Sequence, residues 1–180
     1  MSFRALAGEL RAHVTVWWHV RQQLRGNPGW PFPQSGLPGV VEDAIAGLWD
    51  TFNDAPERLT PAQSSLMHAW SADGLIGNGG MLALVDSLGD RGVEVVQGFR
   101  ALGLPAYADA VSSALALFPR AGEDEPDARL AVAEGWAPGG PEEDELERLE
   151  TITFSFADVL PIKAAAFVAD HPVDFPTARG

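Results

Sequence analysis

The chain has no cysteine, which excludes a disulfide framework, a thiolate metal site and a thiol nucleophile, and removes any marker of an oxidising compartment. It also has no run approaching 18 consecutive apolar residues, and its first residues, Met1 to Glu9, hold no continuous apolar stretch. Both features argue against membrane spanning and export, so the expected location is the cytoplasm. Strand signals are scarce, because β-branched residues rarely alternate with polar ones. Basic residues are few: 12 Lys and Arg stand against 25 Asp and Glu, a net charge of −13. An acidic surface of this kind repels nucleic acid and anionic lipid, so neither direct nucleic-acid binding nor membrane binding is expected.

What is present is enough for a folded domain. The 180 residues are 46% hydrophobic and 21% charged, ordinary globular shares that speak against disorder despite the charge. The length implies one domain burying a sizeable core. Apolar residues recur at three- and four-residue spacing, so the expected fold is all-α, a single-domain bundle of about eight helices over residues 1–180. Residues 1–59 read as an N-terminal helical extension packed on a core of residues 60–175.

The first helix is expected from Phe3 to Arg25, with Leu6, Leu10, Val14, Trp17, Arg21 and Leu24 on one stripe. From Gly26 to Gly39, four glycines and four prolines surround Trp30 and Phe32, which predicts an ordered crossover loop. A second helix follows Pro38, burying Val41, Ile45, Leu48, Trp49 and Phe52. The strongest local signal is Thr60-Pro61-Ala62-Gln63: a capping threonine, a proline at the first helical position, and a glutamine that reaches back to the cap. This third helix directs Leu66, Met67, Trp70 and Leu75 inward and meets a sharp turn at Gly77-Asn78-Gly79-Gly80. Further helices are predicted over Met81–Leu88, Arg91–Leu102 and Pro105–Phe118, the last with Ala108, Val111, Leu115 and Phe118 facing the core. Arg120 to Gly140 reads as a long acidic loop holding a short helix around Arg129–Glu134, with Trp136 as its anchor, although the loop positions of Trp30 and Trp136 leave open whether either ring is buried or exposed. Pro141 opens a helix with Leu146, Leu149, Ile152 and Phe156 inward, and Asp158 caps a final helix running to about Asp170.

No catalytic or metal constellation emerges. His13 and His19 lie about 120° apart around a helix axis, and neither they nor His68 and His171 fit a ligand motif, so no metal and no cofactor are expected. Gly77-Asn78-Gly79-Gly80 lacks both the third glycine and the preceding strand of a dinucleotide cradle and reads as a structural turn. There is no Gly-x-Ser-x-Gly elbow, and carboxylates cluster in exposed acidic sequence rather than beside apolar neighbours that raise a pKa. The chain is therefore not expected to be an enzyme.

The charge is unevenly placed. Residues 121–150 carry 11 acidic and 2 basic side chains, a net of −9. They form two clusters: Glu123, Asp124, Glu125 and Asp127, then Glu142, Glu143, Asp144 and Glu145 followed by Glu147 and Glu150. The second cluster opens a helix, where the dipole favours anions by about 0.3–1 kcal/mol each, and a solvated acidic face would account for both clusters. The other reading is a partner surface for a basic protein, because Glu143, Glu147 and Glu150 are spaced about 6 and 4.5 Å along a helix, comparable to the roughly 3.4 Å phosphate repeat of one DNA strand.

Several features over residues 60–175 resemble a known family. They are Asn78-Gly79-Gly80 after a helix, Ser87 and Gly89, Phe99-Arg100-Ala101-Leu102-Gly103 leading to Ala114-Leu115 and Phe118-Pro119, Leu149-Glu150 before Phe154, and Phe167-Val168 with His171 and Phe175. Met81 stands where that family usually has an aromatic, and Glu150 where it has aspartate. The pattern is similar to the all-helical DNA-mimic-protein-like (DMP-type) domain family, whose best-known member is a dimeric DNA mimic that binds a transcription factor. The resemblance implies a helical fold, a homodimer, and an acidic surface that occupies the DNA-binding face of a basic partner. Two other functions stay open: an immunity or antitoxin protein against a basic toxin, and an enzyme or small-ligand binder with a site near Asn78-Gly79-Gly80 and Trp70.

Overall fold

The helix that organises the molecule starts at the predicted capping box. Thr60 Oγ1 accepts from the Gln63 amide at 3.3 Å, Gln63 Oε1 accepts from the Thr60 amide at 3.0 Å, and Pro61 fills the first helical position. Two otherwise orphaned amides are thereby satisfied. The computed structural model describes residues 39–88, 91–118, 128–157 and 159–175. Among them are seven α-helices and one short 3-10 turn, with no strand. The helices are α1 (Gly39–Asp54), α2 (Pro61–Ser87), α3 (Gly92–Ala101), α4 (Pro105–Ala116), α5 (Ala128–Glu134), α6 (Pro141–Phe154) and α7 (Val159–Asp170), and the turn is Pro56–Arg58. The expected first helix, the Gly26–Gly39 loop up to residue 38, and Asp158 lie outside the described residues.

α2 is the hub. It packs against α1, α3, α4, α5 and α6, while α3 also packs on α4, α4 on α6 and α1 on α7. Leu66, Met67, Ala69, Ala72, Ile76, Met81, Leu84 and Val85 are all buried along it. Trp70 and Leu75 are half-buried at its flanks. The closest approach is made by α3: a Cβ on Gly98 would lie 2.6 Å from the Ser65 carbonyl oxygen. Glycine there lets two backbones meet where any side chain would part them. α3 and α4 join through Gly103, at φ +72, and bury Val95, Phe99, Tyr107, Ala108, Val111 and Ala114 against α2. Phe99 and Tyr107 stack with centroids 4.0 Å apart. Full burial of an aromatic of this size is worth about 1.5–3 kcal/mol from area alone.

The remaining helices close the other faces. α1 buries Ile45 and Phe52, and Phe52 meets the edge of His68 at 5.0 Å while Arg91 lies over its ring at 5.8 Å. His68 Nδ1 is 2.9 Å from the Ser64 carbonyl. A carbonyl only accepts, so Nδ1 carries the proton, and burial holds this imidazole below its ordinary 6.5. Trp136 anchors the segment after α5 as expected, its ring 5.0 Å from buried Phe118. Arg129 is buried as well, donating to the Val85 carbonyl at 2.8 Å near the end of α2. α7 buries Leu160, Ala164 and Val168, and the following turn buries Phe175. No single helix among the described residues is long and apolar enough to cross a membrane.

Candidate functional site

Two stretches of the sequence suggest function, the acidic helix and the glycine turn, and the fold brings part of one against the other. α6 begins where the sequence places it. Gly139 takes φ +66, Gly140 is the buried N-cap, and Pro141 follows. Glu142, Glu143 and Asp144 occupy the first turn, where the unsatisfied amides favour negative charge. Glu143 Oε2 accepts from the Gly139 amide at 2.7 Å, closing the turn that leads into the helix.

Beyond that turn the acidic residues divide. Glu145 is paired within the helix: Arg148 Nε and Nη2 each donate to it at 2.7 Å. Those bonds hold the Glu145 carboxyl below the usual carboxylate range. Asp144 and Glu147 are exposed and make no ion pair among the described residues. Three residues apart, they lie about 60° from each other around the axis and about 4.5 Å along it. The opposite face holds Leu146, Leu149 and Thr153, all buried. Ile152 is only half-buried, as is Phe156 just beyond the helix end. Glu150 is half-buried and turned toward α2, where its Oε1 accepts from the Met81 amide at 2.6 Å. The fold thus gathers Glu142, Glu143, Asp144, Glu145 and Glu147 on the first turns of α6 and engages Glu150 elsewhere. Glu123, Asp124, Glu125 and Asp127 lie outside the described residues.

The glycine turn is a break inside α2. Gly79 sits at φ −150 and ψ 16, Gly80 at φ 72 and ψ −172, and the helix resumes at Met81. Asn78 is exposed and donates its side-chain amide to the Gly74 carbonyl. The space next to Gly80 holds the Glu150 carboxylate, which a Cβ at that position would overlap. Among the described residues, no group of three or more His, Asp or Glu side chains could hold a metal ion.

A polar pair at the centre of the fold is not apparent from sequence spacing. Tyr107 donates its hydroxyl proton to Asp73 Oδ1 at 2.8 Å, joining α4 to α2. Burial pushes the Asp73 carboxyl above its ordinary value, an effect the Tyr107 hydrogen bond only partly offsets. Burial and the nearby carboxylate push the Tyr107 phenol up as well. A signal existed: Tyr107 is the sole tyrosine of the chain. It falls on the same stripe as Ala108 and Val111, where a buried hydroxyl needs a partner.

Residues 57–171, well over half of the chain, match the family described as DMP19-like protein. The chain belongs to the DMP19-like protein family. The match takes in the capping box, the broken α2, the Phe99–Tyr107 stack and all of α6. No curated protein and no solved structure matches the chain.

Proposed function

We propose that this domain is a non-enzymatic, cytoplasmic interaction module, acting as a homodimer, that binds a basic protein through the first turns of α6 and occupies that partner's DNA-binding surface as a DNA mimic. The observation that carries the reading is the division of charge on α6. Asp144 and Glu147 are exposed with no counter-ion among the described residues, while the basic residue of that helix, Arg148, is engaged by Glu145. Unneutralised carboxylates on a rigid helix attract a basic partner over roughly a Debye length, about 8–10 Å at physiological salt. Their spacing along the axis approaches that of phosphates on a DNA strand, about 3.4 Å. Family membership supports the same reading. The Glu150 carboxylate in the break of α2 weighs against a small-ligand site beside Asn78-Gly79-Gly80.

The test is a pull-down on the immobilised full chain, eluted in one arm by a salt gradient and in another by duplex DNA, with the dimer checked by sedimentation. Expected is a DNA-binding protein that leaves at moderate salt and is displaced by duplex DNA. A variant carrying Asp144→Lys and Glu147→Lys should lose that protein while keeping its helical circular-dichroism spectrum, since neither side chain has an ion-pair partner among the described residues. Equal capture by the wild-type and reversed chains overturns the proposal.

A further inference from the structure

A helix that stops and restarts leaves its new first amides without carbonyl acceptors of its own. Met81 is in that position, and it is fully buried, so water does not supply the missing partner. The acceptor comes from another helix: Glu150 of α6, 69 residues further along the chain, meets the Met81 amide at 2.6 Å. Two properties of Gly80 make this possible. Its backbone pair, φ 72 and ψ −172, falls in a region open essentially to glycine alone. Its missing Cβ also leaves the space that Glu150 Oε1 fills.

The structure assigns Glu150 the role of a latch, a helix cap supplied by α6 that holds the break in α2 closed and fixes the rotation of α6 about its own axis. The carboxylate is tied to the amide end of the resumed segment, where charge and helix dipole reinforce one another. With Glu150 directed at Met81, a helical repeat of about 100° per residue places Asp144 about 120° away around the axis, on the outer arc. Glycine break and carboxylate are one device, and it stands whether or not α6 meets a basic partner. It also gives the two ends of the acidic helix different roles, since the first turns present charge and Glu150 positions the helix that carries them.

The test is amide hydrogen exchange on the full chain, followed residue by residue. In Glu150→Ala, exchange at Met81 should rise about tenfold or more relative to the Leu66 amide in the first half of α2, the scale expected for losing a hydrogen bond to a charged group. Glu150→Gln keeps the size and a neutral acceptor, and its rise should be smaller. Glu147→Ala, on the same helix but outside the latch, should leave both amides unchanged. Met81 exchange that stays within about twofold of wild type in both Glu150 variants, on the scale of that same bond, overturns the assignment. A second measurement reads the coupling through melting temperature. Gly80→Ala should cost more in the wild-type background than in Glu150→Ala, because only with glutamate present does the new methyl also displace the carboxylate. Equal losses in the two backgrounds overturn the shared-space argument.

Discussion

α2 and α6 lie against each other yet are built on opposite terms. α2 is enclosed by five other helices and buries side chains around most of its circumference. α6 buries one stripe, Leu146, Leu149 and Thr153, and gives its outer arc to Asp144, Glu147 and Arg148. In the first, most side chains are buried or half-buried against neighbouring helices. In the second, the inner stripe and Glu150 set the position, and the outer residues stand exposed, away from the core. That difference separates the residues that make the domain from those it leaves at its surface.

The comparison breaks first, if it is wrong, at the cluster pressed against α2. Phe99→Ala removes a fully buried ring stacked on Tyr107 and is expected to cost about 3–5 kcal/mol by denaturant unfolding. A loss below about 1 kcal/mol, the ordinary scale of an average substitution, would mean that the hub is loosely packed. Next comes the polar pair. Tyr107→Phe leaves the Asp73 carboxylate without its hydroxyl donor and should cost about 1–3 kcal/mol. This change also sharpens a pH effect. The Asp73 carboxyl titrates above its ordinary 3.8 in the folded chain, so its contribution is full below that value and is lost as pH rises through the folded pKa. Removing the donor raises the folded pKa further, so the Tyr107→Phe loss should be larger at neutral pH than at about pH 4. A loss that is flat across that interval would show that the two groups are not coupled. The smallest effect belongs to the outer arc of α6: Glu147→Gln should change stability by no more than about 0.5 kcal/mol, and a larger change would bring that residue into the fold's own contacts.

The division between the two helices also marks how far the sequence could be read. Helix starts depend on neighbours in the chain, so the box at Thr60 and Gln63, the break at Gly79-Gly80, Pro105, and Pro141 with Leu146 and Leu149 were all legible. Trp136 was recognisable as an anchor, and it is half-buried with its ring against that of buried Phe118. What escaped were contacts that join distant positions: Tyr107 with Asp73 across 34 residues, Arg129 with Val85 across 44, and Met81 with Glu150 across 69. Periodicity reports which face of a helix is apolar, but not which partner meets a polar group at the edge of that face. Glu150 is the clearest case. By spacing it belongs in a row with Glu143 and Glu147, and only the position of the α2 break shows that its carboxylate is turned inward.

One contact reaches further still. Besides closing the capping box, Gln63 donates its side-chain amide to the Asp174 carbonyl at 2.7 Å, across 111 residues. The same glutamine thus ties the first turn of α2 to the segment that follows α7, like a clasp across the described part of the domain. Shortening the tail before Asp174 would therefore be felt far back along the chain, as fraying at Thr60 where α2 begins.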